Sequence, residues 1–329
     1  MPIRLRIAFS ENPLVRPLKG GAIKLDHIEL DFVTFEYPGD LFYRNLLVDE
    51  FDVSEMGIPW TIRIMDLAGK KKWDWAKLPV FLSRGTGWSN LYVNSESGIN
   101  TLADLRGKKI CVPEYNMSMC MWLRVILRDQ FRINPSEIVW YLGRSRDRSQ
   151  GDALGVKEDY PAEVTVSWLP DNQTADRMLE QGKVDAAIID PNALGEGSID
   201  RYGGAALTGN PRIHKLFPDN GRALVDEFTR SSGVYQINHH VIVQNRILRQ
   251  YPWVAMELYN ALQRSRDIAL GGMARQGSEQ LSYGNGDYPL GVKAMRKSFD
   301  RYIQEMLDAE LIKRWFQMED VYYPTTLAT

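Results

Sequence analysis

Four histidines stand among the 329 residues, His27, His214, His239 and His240, and two of them are consecutive. An imidazole changes charge near neutral pH and suits a proton shuttle. His239 and His240 lie in a strand-like run, where neighbouring side chains point to opposite faces, so they cannot chelate one metal together. One of them can face a ligand. A core histidine with its hydrogen bonds satisfied is the plainer role, and it stays open. His27 lies beside Asp26 and Glu29, but that spacing matches no ligand motif, and a solvated strand start is expected there. The two cysteines, Cys111 and Cys120, have no CxxC spacing and are too few for a disulfide scaffold or a thiolate metal knuckle. Neither a metal nor a cofactor is expected.

Carboxylates and arginines complete the set. Glu114 follows a strand-like segment, Lys109 to Val112, and precedes a helix that Asn116 or Ser118 can cap and that runs to about Phe131. That is the carboxyl end of a strand, where open α/β sheets gather ligands. In apolar surroundings its carboxyl would be raised and could donate a proton; a surface carboxylate near a helix start is the alternative. Asn116 to Ser118 would offer backbone N–H groups to an anion. Arg84 ends the apolar run Val80-Phe81-Leu82, and its planar fork matches a carboxylate, with Arg16 as a second partner. Ser54 and Glu55 follow another strand-like run, where they could bind a ligand's hydroxyls or hold the histidine in register. An ion pair between Glu55 and an arginine is the alternative. Of the nine tryptophans, only Trp60 and Trp88 lie near these segments; the others are expected to pack.

These side chains need a scaffold that brings distant segments together. Strand-like runs occur at Arg4 to Phe9, His27 to Phe35, Phe51 to Val53, Val80 to Leu82 and Leu91 to Val93, with helical runs at Leu41 to Leu47 and Thr61 to Leu67. Such alternation argues for parallel βαβ units. Further strands are expected at Lys109 to Val112, Glu137 to Leu142, Val184 to Asp190 and Gly233 to Gln244. Residues 144–163 read as a polar loop, with Arg144, Arg146 and Arg148 on a solvated surface. The C-terminal part is helical, and Val254, Leu258, Ala261, Leu262, Ser265 and Ala269 keep one face to the core. A lobe left and re-entered fits this order, with lobe 1 as residues 1–97 and 241–329 and lobe 2 as residues 98–240. A ligand would sit in the cleft between them.

Composition excludes several classes. Hydrophobic residues at 44% and charged residues at 25% are the balance of a globular chain with a real core. Forty Lys plus Arg against forty-two Asp plus Glu leave a net charge of -2, with no basic excess for a phosphate backbone. Nucleic acid is not an expected partner, nor is a membrane, since no apolar run approaches the ~20 residues of a spanning helix. Met1-Pro2 leads straight into a strand-like run with no export signal, so a cytoplasmic protein is expected.

The segment Thr101-Leu102-Ala103-Asp104-Leu105-Arg106-Gly107-Lys108-Lys109-Ile110, followed by Val112-Pro113, resembles the signature of periplasmic-binding-protein-like type II folds. More narrowly, Phe51 to Met56, Ser83-Arg84, Leu91 to Asn94, Val112 to Met117 and Ile237 to Val241 resemble the 4,5-dihydroxyphthalate decarboxylase family over nearly the whole chain. The resemblance implies an α/β, two-lobed periplasmic-binding-protein-like type II fold with a ligand cleft between lobes. It also implies cofactor-independent removal of carbon dioxide from a hydroxylated aromatic acid, 4,5-dihydroxyphthalate or a related hydroxybenzoate. His239 is then the ligand-facing histidine and handles protons with Glu114, while Arg84, with Arg16, holds the carboxylate. Two places depart from the family pattern: Gly87 and Trp88 stand where an Arg-His pair is usual, and Leu14 and Arg16 where two arginines are. Fewer cations suggest a substrate with one carboxylate, or a substituent stacked on Trp88. The partner is a small aromatic acid, and the assembly state is open, a homo-oligomer included. The rival reading is a non-catalytic receptor for a small acid, serving transport or sensing.

Overall fold

Eleven strands are found among the described residues of a computed structural model, which describes residues 2–67, 73–84, 86–156, 160–191, 193–194, 199–275 and 288–329. They are β1 (Ile3–Ser10), β2 (Ile28–Phe35), β3 (Val53–Gly57), β4 (Trp75–Ser83), β5 (Leu91–Asn94), β6 (Lys109–Val112), β7 (Val139–Leu142), β8 (Thr165–Trp168), β9 (Ala186–Ile188), β10 (Ile213–Lys215) and β11 (His239–Gln244). Two sheets result, in the orders β2-β1-β3-β11-β4 and β10-β5-β9-β6-β7-β8. The α/β expectation holds.

The chain divides into two compact units. Unit 1 is Met1–Arg84, Thr229–Ile303 and Arg314–Thr329, and unit 2 is Gly85–Phe228 with Gln304–Lys313. These divisions fall at 84/85 and 228/229, whereas the sequence suggested 97/98 and 240/241. Strand pairing accounts for the difference. β5 is bonded to β9 and β10 of the second sheet, and β11 is inserted between β3 and β4 of the first. The added stretch Gln304–Lys313 is held in unit 2 by charge: buried Glu305 accepts from Arg124 at 2.8 Å and from Arg128 at 2.7 Å. The Arg124 guanidinium also lies 4.0 Å from the centroid of the Tyr115 ring.

Unit 1 places the site residues through its register. β1 runs parallel to β2 and β3, with Ala8 opposite Ser54, while β11 runs antiparallel to β3. A helix, Pro38–Leu47, bridges β2 and β3 and buries Leu41, Phe42 and Leu46 on the sheet. Proline at its first position and an apolar stripe at helical spacing fit that role. The long helix Val254–Arg275 buries Val254, Leu258, Ala261 and Leu262 as expected. Ser265 on the same face donates to the carbonyl of Leu14 at 2.7 Å and accepts from the amide of Leu18.

Residues 144–163 are not one loop. Arg146–Arg148 form a 3-10 turn and Gln150–Leu154 a short helix capped by Ser149, whose side chain accepts from the Asp152 amide; residues 157–159 of that stretch lie outside the described residues. Arg144, expected on a solvated surface, is 1% exposed, whereas Arg146 lies over the Trp168 ring. Strands β8 and β10 and the helix Arg222–Ser232 are elements beyond those expected from the sequence. Among the described residues no helix is long and apolar enough to cross a membrane.

One feature of the core runs against ordinary economy. Lys77 on β4 is 7% exposed, with its ammonium 5.5 Å from the centroid of the Trp73 ring. Burial pushes its pKa down from 10.5 to about 8, and no carboxylate among the described residues offsets this. A lysine whose folded pKa is lowered destabilises the fold fully below about pH 8, and the penalty fades as pH rises to 10.5. That shift corresponds to about 3 kcal/mol. Lys77→Met, which keeps length and apolar contact, should therefore stabilise unit 1 by about 1–3 kcal/mol at pH 7. Urea unfolding at pH 7 and pH 10 checks this: the gain should shrink at the higher pH, and an equal gain at both would point to packing instead of charge.

Candidate active site

Strand register decides which side chains meet at the end of the first sheet. Glu55 lies in β3 one residue after Ser54, the partner of Ala8, and Ser10 ends β1 two residues after Ala8. Glu55 is 1% exposed. Its Oε1 accepts from the Ser10 amide at 2.6 Å and from the Ser10 hydroxyl, and its Oε2 lies 2.9 Å from Nδ1 of His239. Burial alone would raise the Glu55 carboxyl; the hydrogen bond and charge of His239 and the two Ser10 donors outweigh it and hold the group below its ordinary value. The carboxylate can only accept, so the neutral imidazole carries its proton on Nδ1 and leaves Nε2 bare. The edge of the Phe42 ring meets the His239 ring at 4.6 Å between centroids and 87° between planes. The side chain of His239 remains 14% exposed.

His240 is different in every respect. It faces the other side of the sheet and is 1% exposed. The single hydroxyl proton of Thr61 goes to the carbonyl of Ile58 at 2.9 Å, so Nε2–H of His240 donates to Thr61 Oγ1 at 2.8 Å. Its Nδ1 faces the Tyr322 hydroxyl at 3.4 Å. Burial, then Lys77 and His239, hold its pKa well below 6.5. The two consecutive histidines thus hold opposite tautomers, one built into the core and one left open.

Arg84 also lies in unit 1. Its neighbour Ser83 is the register partner of His239. The guanidinium is 4% exposed, lies 3.7 Å from the Tyr288 ring centroid and 4.9 Å from that of Tyr235, and donates to the carbonyl of Pro289. This aromatic cage fixes the arginine. Arg16 is placed apart: it sits in a single helical turn, Arg16–Lys19, with a side chain 62% exposed and paired to Glu11 at 2.6 Å. Ser54 is fully buried, donating to the carbonyl of Ala8 at 3.0 Å and accepting from Asn45, so its hydroxyl supports β3 from within. His27 is exposed, with its ring edge on Trp253.

Unit 2 holds the remaining candidates. Glu114 follows β6 as expected, but it is fully buried. Its Oε1 accepts from the Gln150 amide at 2.7 Å, and its Oε2 lies 3.1 Å from Arg144, whose Nε donates to Asp200 at 2.5 Å. Burial raises the Glu114 carboxyl, Arg144 lowers it, and Asp200 raises it again, with a net rise. Burial sets the direction, and one guanidinium shared between two carboxyls does not offset it. Asn116 is fully buried as well, and neither of its amide atoms has a hydrogen-bond partner among the described residues. It precedes the helix Ser118–Phe131, whose N-cap residue, Met117, gives no side-chain cap. Ser118 is the first residue of that helix and is 6% exposed. Trp88 is buried in a 3-10 turn, Gly87–Asn90. A Cβ at Gly87 would come 2.7 Å from the carbonyl of Met119, so glycine lets this turn touch the helix. Trp88 in turn packs on Gly221, whose backbone has φ +69°.

Six participants escaped the sequence: Ser10, Phe42, Arg144, Asp200, Tyr235 and Tyr288. A serine at a strand end or a phenylalanine in an amphipathic helix has no chemical spacing of its own. Only the parallel pairing of β1 with β3 brings Ser10 to Glu55. Among the described residues, no cluster of three or more histidine, cysteine, aspartate or glutamate side chains is grouped for a metal ion.

The resemblance read in the sequence is found again by comparison with known proteins. No family model matches the chain. A 4,5-dihydroxyphthalate decarboxylase of Comamonas testosteroni is 28% identical over 268 residues, covering 82% of this chain and 76% of that protein. One of Pseudomonas putida is 27% identical over 224 residues, covering 68% of this chain and 81% of its own. Among solved structures, the periplasmic aliphatic sulphonate binding protein SsuA of Escherichia coli superposes with a TM-score of 0.56 at 15% identity, covering 100% of both chains. SsuA of Xanthomonas axonopodis pv. citri, bound to MOPS, gives 0.52 at 14% identity over 98% of each chain. The desulfurization enzyme DSZB gives 0.50 at 14% identity over 98% of this chain and 97% of its own. At these identities the structural matches establish a periplasmic-binding-protein-like, two-lobed fold.

Proposed function

We propose that this protein is a carboxy-lyase that removes carbon dioxide from a hydroxylated aromatic carboxylic acid, a 4,5-dihydroxyphthalate-like acid or a related hydroxybenzoate, without a cofactor. The observation that carries the reading is the Ser10–Glu55–His239 relay, which ends in a partly exposed imidazole with a bare Nε2. Similarity to proteins named as decarboxylases supports it.

The chemistry needs one proton delivered to carbon. A phenolic oxygen ortho or para to the carboxylate pushes electron density onto the carbon that bears it. His239 takes the phenolic proton on Nε2, directly from an ortho hydroxyl or through a bridging water from a para one, and becomes an imidazolium beside Glu55, whose ionised carboxylate stabilises that charge. The imidazolium then returns a proton to the carboxyl-bearing carbon. Aromaticity is lost briefly, the carbon–carboxyl bond breaks, carbon dioxide leaves, and the electron pair restores the ring. Glu114, buried against Arg144, serves in this reading as a support for the segment after β6, and Arg84 as the cation of unit 1 nearest in sequence to the partner of His239.

A receptor for a small acid is the second reading, favoured by the binding proteins among the solved neighbours. One experiment separates them. Purified protein is incubated with a panel of hydroxybenzoates and hydroxyphthalates while released carbon dioxide is measured and affinity is read by calorimetry. Carbon dioxide from at least one member is expected. Tight binding of a member with no release from any would leave the receptor.

A further inference from the structure

We infer that Ser10 is a positioning residue: by donating twice to one oxygen of Glu55 it holds the side chain so that its other end meets Nδ1 of His239. The inference rests on the proposed proton-transfer role of His239, but the geometry behind it is independent of any substrate. The Ser10 amide reaches Oε1 at 2.6 Å and the Ser10 hydroxyl donates to the same oxygen. Oε2 is left for Nδ1 of His239 at 2.9 Å. Glu55 is nearly inaccessible, so these contacts define its surroundings.

A carboxylate has two acceptors and tolerates this arrangement whichever way it is turned. An amide does not. In Glu55→Gln the oxygen of the new side chain must take the place that meets the two Ser10 donors, because an amide NH2 there would face N–H and O–H head on. The NH2 then points at Nδ1 of His239, which can only accept, and the ring proton moves to Nε2. The bare nitrogen that abstracts a phenolic proton is lost although the shape is unchanged. Without the hydroxyl of Ser10 the preference weakens, since only the backbone N–H still demands an oxygen.

The test uses nitrogen-15 labelled histidine and reads the protonation of each ring nitrogen by NMR at a pH where His239 is neutral, with His239 assigned by its absence in His239→Ala. The wild type and Ser10→Thr should carry the proton on Nδ1, and Glu55→Gln on Nε2. The double variant Ser10→Ala/Glu55→Gln should show a mixture of both. His240, whose Nε2–H is held by Thr61 in the core, should stay unchanged and reports that each variant is folded. A Glu55→Gln protein that keeps the proton on Nδ1 overturns the inference, and so does a double variant identical to Glu55→Gln. Where a panel member yields carbon dioxide, Glu55→Gln should also lower kcat by about 10²-fold or more with KM within a few-fold, as for a wrong tautomer. The NMR readout needs no turnover, so a protein that releases no carbon dioxide refutes the decarboxylase reading while leaving the role of Ser10 to be decided by the spectra.

Discussion

Replacing Arg144 by leucine should cost unit 2 about 3–5 kcal/mol, the usual loss when one member of a buried ion network is removed. The guanidinium is 1% exposed and lies between two fully buried carboxyls, 3.1 Å from Glu114 and 2.5 Å from Asp200. Leucine fills part of the volume but removes the cation that the two carboxyls share. Each is then easier to protonate in the folded state than in the unfolded chain. A group with a raised folded pKa destabilises at high pH and ceases to do so as pH falls, so the deficit should be largest near pH 7 and shrink toward pH 4. The triple change Arg144→Leu, Glu114→Gln, Asp200→Asn removes the orphaned charges and should recover much of the loss. Denaturant unfolding across that pH range is the measurement. A deficit independent of pH would mean that Arg144 contributes by packing alone.

The same network shows where sequence reading stops. Glu114 could be recognised because it follows a strand of four apolar-rich residues and precedes a helix, and that local order is what the structure has. Its partners could not. Arg144 and Asp200 are 56 residues apart in the chain, and each sits in a stretch with polar, glycine-bearing composition that reads as solvated. Local composition reports average exposure, whereas a buried charge is set by the one ion opposite it. For the same reason the alternation of strands and helices revealed an α/β chain, and the pairing of β5 and β11, which fixes the limits of the two units, stayed hidden. A strand's sheet partners depend on which long-range edge is free, and its own periodicity carries no address.

The paired histidines were legible further. Period-two alternation alone separates His239 from His240 onto opposite faces, and the structure agrees. Which of them is open to a ligand came from resemblance, because both faces of a central strand are apolar in this chain. β11 lies between β3 and β4, and Val241, Ile242 and Val243 are all fully buried. Only the ends of such a strand reach solvent, which is why the first residue of β11 is the partly exposed one.

Removing the imidazole should have the largest effect on turnover. His239→Ala is expected to lower the rate of carbon dioxide release by about 10²–10⁴-fold, the range that a positioned general acid–base group supplies. In the proposed mechanism the variant loses both steps at once, since Nε2 both accepts the phenolic proton and returns one to carbon. Affinity for the aromatic acid should change far less under the proposed mechanism, in which groups other than His239 orient the carboxylate, and KM should stay within a few-fold. The fold should tolerate the change. His239 is the open member of the pair, and its main buried contact is the carboxylate of Glu55, which keeps both Ser10 donors when the ring is gone. Glu55 would lose the partner that holds its carboxyl low, while burial continues to push it up. Exogenous imidazole should then restore part of the rate, by entering the volume left beside Phe42 and meeting Oε2 as the native ring does. Steady-state kinetics with and without imidazole decide the matter: unchanged turnover in His239→Ala would remove His239 from the chemistry and with it the proposed mechanism.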